Sequence, residues 1–135
     1  MVDSVAAAPL QASKARSVLR ALRSTHGAIE GCAFVTRDGR VVASALGPGM
    51  DPDRFGAMCA ALIALASRAA HESARGDLLQ LIIEGRNGPM LVTHAGIYGV
   101  LSVSAKPQCP LGRLILDAKA TAQTLATIFD SESPP

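Results

Sequence analysis

Apolar side chains recur at three- and four-residue steps over residues 12–26, where Ala15, Val18, Leu19 and Leu22 share one face of a predicted helix. Arg16, Arg20 and Arg23 point away from that face, Ser13 is a plausible cap, Gly27 supplies the stop, and His26 suits the C-terminal dipole. The period then changes from helical to alternating. Two β-rich runs, 31–37 and 40–46, flank Asp38-Gly39, a strong hairpin signal. In the first run Ala33 and Val35 face one way and Cys32 and Phe34 the other, so both faces of the sheet need cover. After the turn-rich stretch 47–54, Asp51 caps a helix whose first turn carries Pro52 and Asp53.

That helix, predicted over 52–75, has an unusual pattern. Its large apolar residues cover about 160° of the circumference at 100° per residue. The remainder between 55 and 66 holds only Gly56 and alanines 57, 60, 61 and 64, without a charge. Charges return at the ends, as Asp53, Arg54, Arg68, Glu72 and Arg75. A helix lying on a monomer's surface should show water a charged back; either the alanines serve helix propensity alone, or this back packs closely on another helix, which a second copy could supply. Three more strands follow, at 77–85, 89–96 and 98–106, with Asn87-Gly88 as one turn, and a helix over 111–129 closes the pattern. In 77–85 the alternation places Leu79, Leu81 and Ile83 on one side and Leu78, Gln80, Ile82 and Glu84 on the other.

The order helix-strand-strand-helix-strand-strand-strand-helix, with hairpin connections, predicts an α/β (α+β sandwich) domain. Its five-stranded sheet is mainly antiparallel, and three helices cover its two faces. The domain is expected over 12–129, with 1–11 a flexible leader and 130–135 a flexible tail. The strand 78–84 is long and apolar and holds no proline. As an open edge it would pair with its own counterpart in a twofold dimer, which would also lay the two 52–75 helices side by side.

Composition narrows the function classes. The chain has 135 residues, enough for one domain; 49% are apolar and 3% aromatic, so the core is aliphatic. A formal charge of +2 is too balanced for a nucleic-acid binder, and the arginines of the first helix read as a solvated face. Three cysteines, Cys32, Cys59 and Cys109, match neither a disulfide framework nor a zinc site. The start has no signal-peptide pattern, and the longest uncharged apolar stretch, 55–67, is too short for a bilayer. A cytoplasmic protein is expected, with no membrane partner.

No phosphate-cradling GxxxxGK[ST] occurs, and Gly47-Pro48-Gly49 resembles a glycine-rich loop only in composition. His26, His71 and His94 lack metal-ligand spacing, and no acid sits in a constellation. No catalytic residue, cofactor or metal is therefore expected, and the chain is read as not an enzyme. A ligand-sensing pocket near His94 and Tyr98 is the rival reading, and it would require a sizeable polar cavity there.

Several segments, taken in order, resemble the Roadblock/dynein light chain family. They are Gly31-Cys32-Ala33-Phe34-Val35, Arg37-Asp38-Gly39, Val41-Val42-Ala43-Ser44 and Asp53-Arg54-Phe55 with Met58. Leu81-Ile82-Ile83-Glu84-Gly85, Leu101-Ser102-Val103-Ser104-Ala105 and Pro110-Leu111-Gly112 complete the set. The likeness covers about residues 13–129 and is similar in kind to the small prokaryotic members that regulate Ras-like GTPases in gliding motility and cell polarity.

The resemblance implies one helix on one sheet face and two on the other, and a homodimer through the second helix and third strand. Residues expected in that dimer are Phe55, Met58, Cys59, Leu62, Leu65, Ala66, Leu79, Leu81 and Ile83. It also implies a platform for a small GTPase, carried here by Arg54, Ala61, Arg68, Met50 and Asp51 with Met58 and Leu65, and no arginine finger. The expected function is a non-catalytic homodimeric regulator of a Ras-like GTPase's nucleotide cycle. The alternative is a structural adaptor or scaffold subunit of a motor or signalling complex.

Overall fold

The computed structural model describes residues 9–25 and 27–130. Eight elements follow in the expected order. They are α1 (Pro9–Thr25), β1 (Ile29–Thr36), β2 (Val41–Ala45), α2 (Pro52–Glu72), β3 (Leu81–Gly85), β4 (Gly88–Ala95), β5 (Gly99–Ala105) and α3 (Leu111–Asp130). The strands form one antiparallel sheet in the order β2-β1-β5-β4-β3. Because β2 and β3 lie at opposite edges, the connection through α2 crosses the whole sheet.

Several boundaries move from their expected places. Pro9, Leu10 and Gln11, expected in the leader, form the first turn of α1, where a proline costs no hydrogen bond. Residues 1–8 and 131–135, the rest of the expected leader and tail, and His26 lie outside the described residues. The helix expected to reach 75 ends at Glu72. There Ala74 takes a left-handed φ of 62°, and the amides of Ala74 and Arg75 return to the carbonyls of His71 and Ala70. The β1–β2 hairpin forms with a four-residue loop, locked by Thr36, whose amide donates to the Arg40 carbonyl and whose hydroxyl donates to Asp38. That hydroxyl, aided by Arg40, holds the exposed Asp38 carboxyl below its ordinary value.

The largest correction concerns the strand expected from 77. Pairing with β4 begins only at Leu81 opposite Val92, and Thr93, next along β4, bonds the Leu79 carbonyl through its hydroxyl at 3.1 Å. Residues 77–80 therefore have no ladder, and their two-residue alternation fails. Leu78, not Leu79, packs with Leu81 on the α2 side, while Leu79 borders α3.

The core is split by the sheet. On one face α1 and α3 cover Cys32, Phe34, Leu91, Leu101 and Val103. Tyr98, Phe129 and Phe34 form an aromatic cluster there, with Phe129 4.7 Å from Tyr98 and 5.0 Å from Phe34. On the other face α2 alone covers Ala33, Val35, Val92 and Val100. The central strands β1 and β5 are buried on both sides, as the apolar character of both faces requires.

Candidate functional site

Four small or apolar residues seat α2. Phe55, Cys59 and Ile63 point into the sheet, and Gly56 lies against the β1–β2 hairpin. A Cβ on Gly56 would stand 3.0 Å from the Gly39 carbonyl oxygen, Val35 Cγ1 and Val41 Cγ2. Across the same contact Gly39 has φ 95°, and a Cβ there would lie 2.9 Å from the Ala57 backbone. Two glycines thus let the helix backbone touch the hairpin, which fixes its rotation.

That rotation sorts the residues expected in a dimer. Phe55 is 6% exposed and Cys59 0%, both buried under their own helix, so neither can meet a second copy. The reason is angular: they lie on the stripe toward the sheet, and the sequence pattern could not say which part of a 160° apolar arc faced inward. The flank opposite Gly56 points away from the hairpin, toward the β3 edge. It carries Met58 (50% exposed), Leu65 (66%) and the half-buried Leu62, with the half-buried Ala66 close by.

Beside this flank the sheet has little cover, because α2 rests mainly on β1, β2, β5 and β4. Leu81 opposite Val92 and Ile83 opposite Met90 put four side chains of β3 and β4 on the α2 face. Val92 is buried, Leu81 and Met90 are half-buried, and Ile83 is exposed. The strip between α2 and the outer edge of β3 is therefore apolar and open. Leu79, expected in the same interface, is 81% exposed but lies on the other side of the sheet. Met90 was not singled out from the sequence. The expected Asn87-Gly88 turn would have paired it with Gly85; the turn instead lies at 86–87, which pairs it with Ile83.

The outermost stripe of α2 holds Arg54, Ala61 and Arg68, all exposed, with Met50 and Asp51 exposed at the helix entry. Asp51 is occupied as the N-cap, its Oδ1 accepting from the Asp53 amide at 3.1 Å. Arg68 pairs with Glu72 at 2.8 Å, both well exposed, a contact worth little in water.

His94 and Tyr98 do not share a pocket. His94 stands opposite Val100 and follows Val92, on the α2 side of the sheet, while Tyr98 stacks with Phe129 on the other. Burial, then the nearby Arg37 charge, pull the His94 pKa below its ordinary value. A groove of about 320 Å³ does run between the β3–β4 edge and α3, walled by Leu79, Leu91, Ile115, Ala118, Ala122 and Ala126. Gln80, Thr93, His94, Lys119 and Gln123 also border it, so its lining mixes aliphatic and polar groups, but Tyr98 takes no part in it. The three thiols are buried, which pushes Cys32 up to about 11 and raises Cys59 and Cys109. No group of acids, histidines and cysteines able to hold a metal occurs among the described residues, and no described helix is long and apolar enough to cross a membrane.

The described residues thus form an antiparallel five-stranded sheet, with two helices on one face and a single charge-poor helix on the other beside an open edge. The chain belongs to the Roadblock/LC7 domain family, whose model matches residues 14–105. An uncharacterized protein of Methanocaldococcus jannaschii is 37% identical over 112 residues, covering 83% of this chain and 96% of its own. Among solved structures, Myxococcus xanthus MglB superposes with a TM-score of 0.85 at 21% identity, over 96% of this chain and 97% of that one. The gliding protein MglB of Thermus thermophilus superposes at 0.79 with 20% identity, over 93% and 95%.

Proposed function

We propose that the protein is a non-catalytic homodimeric regulator of a Ras-like small GTPase. Two copies join through their β3 edges into one ten-stranded sheet, with the two α2 helices side by side. Met58, Leu62, Leu65, Ala66, Leu81 and Ile83 are the seam. The observation that carries this reading is the open apolar strip between α2 and β3: a monomer would leave Leu65, Met58 and Ile83 to water beside an unguarded strand. A twofold axis perpendicular to the sheet, beside β3, would cover all of them at once.

The outward stripe of the paired helices, Arg54, Ala61 and Arg68 with Met50 and Asp51 at the entry, forms the platform for the GTPase. Membership of the Roadblock/LC7 family and the likeness of fold to MglB support a regulatory role. The mechanism is positional. A platform that binds one switch conformation more tightly shifts the GTPase toward it, and the GTPase's own groups then hydrolyse the nucleotide. A structural adaptor would form the same dimer without altering that cycle.

Sedimentation at micromolar concentration, followed by a GTP-hydrolysis assay with a Ras-like GTPase from the same genome, tests both parts. A dimer that changes the hydrolysis rate supports the reading. A dimer that binds without changing the rate favours the adaptor, and a monomer removes the shared-sheet arrangement.

A further inference from the structure

The opposite edge of the sheet has a different character. The α1 helix contains Lys14, Arg16, Arg20 and Arg23 and no acid. Set these four aside and the remaining nine Lys and Arg face eleven Asp and Glu, so the chain's positive charge is concentrated on this helix.

Packing fixes where those arginines lie. Ala15, Leu19 and Leu22 form the buried stripe of α1. At one end Gln11 Nε2 donates to the Ile128 carbonyl of α3, and at the other Arg23 Nη1 reaches across to the Ala45 carbonyl of β2 at 3.4 Å. Asp130, two residues on from Ile128, accepts from the Ile97 amide in the β4–β5 turn, at the end of the sheet where β2 begins. The helix therefore runs alongside β2 in the same direction. Arg16, Arg20 and Arg23, each one position beyond a buried residue, line the flank next to the edge strand. No carboxylate among the described residues lies within ion-pair distance of these three.

The strand itself, Val41–Ala45, has neither charge nor proline, and β1 is its one neighbour in the sheet. Such an edge invites another strand. A second copy of this chain is a poor occupant, because matching β2 edges would bring two arginine rows together. A segment with carboxylates at alternate positions is a good one. Alternate residues of a strand are about 6.8 Å apart, and Arg16 and Arg20 are separated by about 6 Å along their helix. Guanidinium forks could then take carboxylates on one face of the added strand while its main chain bonds β2. Where β2 ends, a groove of about 470 Å³ continues past Leu46 and Pro48, with Arg23 and Lys106 at its rim against Glu30.

We propose that the β2 edge and the arginine row of α1 form a docking site for an extended acidic segment of a partner protein, which adds to the sheet as a further strand. The site shares no residue with the α2–β3 strip, so it stands whether or not the chain dimerises there.

An amide NMR titration of the intact protein, with a short synthetic peptide alternating glutamate with valine or threonine, tests it. The expected result is movement of the Val41–Ala45 amides and an affinity that falls as salt rises. Replacing the three arginines (Arg16→Gln, Arg20→Gln, Arg23→Gln) should weaken binding by about tenfold or more. So should methylating alternate peptide nitrogens, a change on the ligand that cannot disturb folding. Equal binding of the methylated peptide with β2 amides unmoved would mean simple ion exchange and would overturn the proposal. So would tighter binding of a DNA duplex or of phosphatidylglycerol vesicles at the same salt, or no binding at millimolar peptide in low salt.

Discussion

The two edges of this sheet are both open among the described residues, and they are defended in opposite ways. At the β3 edge Leu81, Ile83 and Met90 lie beside Met58 and Leu65 of α2, the strand's one charge is Glu84 near its end, and Arg86 follows in the turn. At the β2 edge the strand itself carries no charge, but Arg16, Arg20 and Arg23 stand along it. An apolar strip beside a bare strand is complementary to itself. A cationic row beside a bare strand repels its own copy and attracts an acidic chain. The same main-chain hydrogen bonding is thus offered to two kinds of partner, and the side chains of the neighbouring helix decide which.

The largest expected effect tests the apolar edge. Leu65→Asp with Ile83→Asp should weaken self-association by about a hundredfold, ~3 kcal/mol, read by sedimentation equilibrium. Each site is exposed in the protomer, so circular dichroism should be unchanged. A dimer of unaltered affinity would place the self-contact elsewhere.

The next effect sharpens how α2 is aimed at that edge. Gly56→Val must push the helix off the hairpin, since three atoms already stand 3.0 Å from its Cβ position. Overpacking of this kind costs about 1–3 kcal/mol, measurable by urea denaturation. It should also lower dimer affinity, because the Met58–Leu65 flank moves with the helix.

A smaller effect comes from His94, on the face that α2 shares with β3. Its folded pKa lies below the ordinary 6.5, so the unfolded chain binds the proton more readily. Its neutral form is fully compatible with folding above that value, and stability falls as pH drops through it toward the folded pKa. Urea midpoints at about pH 7.5 and 5.5 should show the loss, and His94→Gln should flatten this part of the slope.

The smallest stability effect belongs to the cationic edge. Arg16→Glu with Arg20→Glu and Arg23→Glu should change unfolding free energy by no more than about 0.5 kcal/mol per site. Sedimentation should find self-association through α2 and β3 unaltered in the same variant. A new self-association through β2, produced by mixing this variant with the parent protein, would show that the arginines alone keep that edge apart from copies of itself.

Much of this arrangement was legible along the chain, because it depends on neighbours in sequence. Periodicity set the three helices, the Asp38-Gly39 turn placed one hairpin, and Asn87-Gly88 marked a second whose turn lies one residue earlier. The alternation of Cys32 to Val35 assigned those side chains to the faces they occupy. The charge-free back of α2 was visible as an anomaly before any packing was known.

What the tertiary structure decided are relations between segments far apart in sequence. The order β2-β1-β5-β4-β3 makes edges of β2 and β3, and no local pattern encodes which strands meet. The ladder with β4 stops at Leu81, so Leu78 and Leu79 exchange the sides that strand alternation assigned them. The Gly56–Gly39 contact rotates Phe55 and Cys59 inward and leaves Met58 and Leu65 outside, although all four belong to one apolar arc. Arginines that read as a solvated helix face acquire a neighbour only when α1 settles beside β2. Periodicity fixes the relative angle of residues on one element; the direction of that angle is set by the surface against which the element packs.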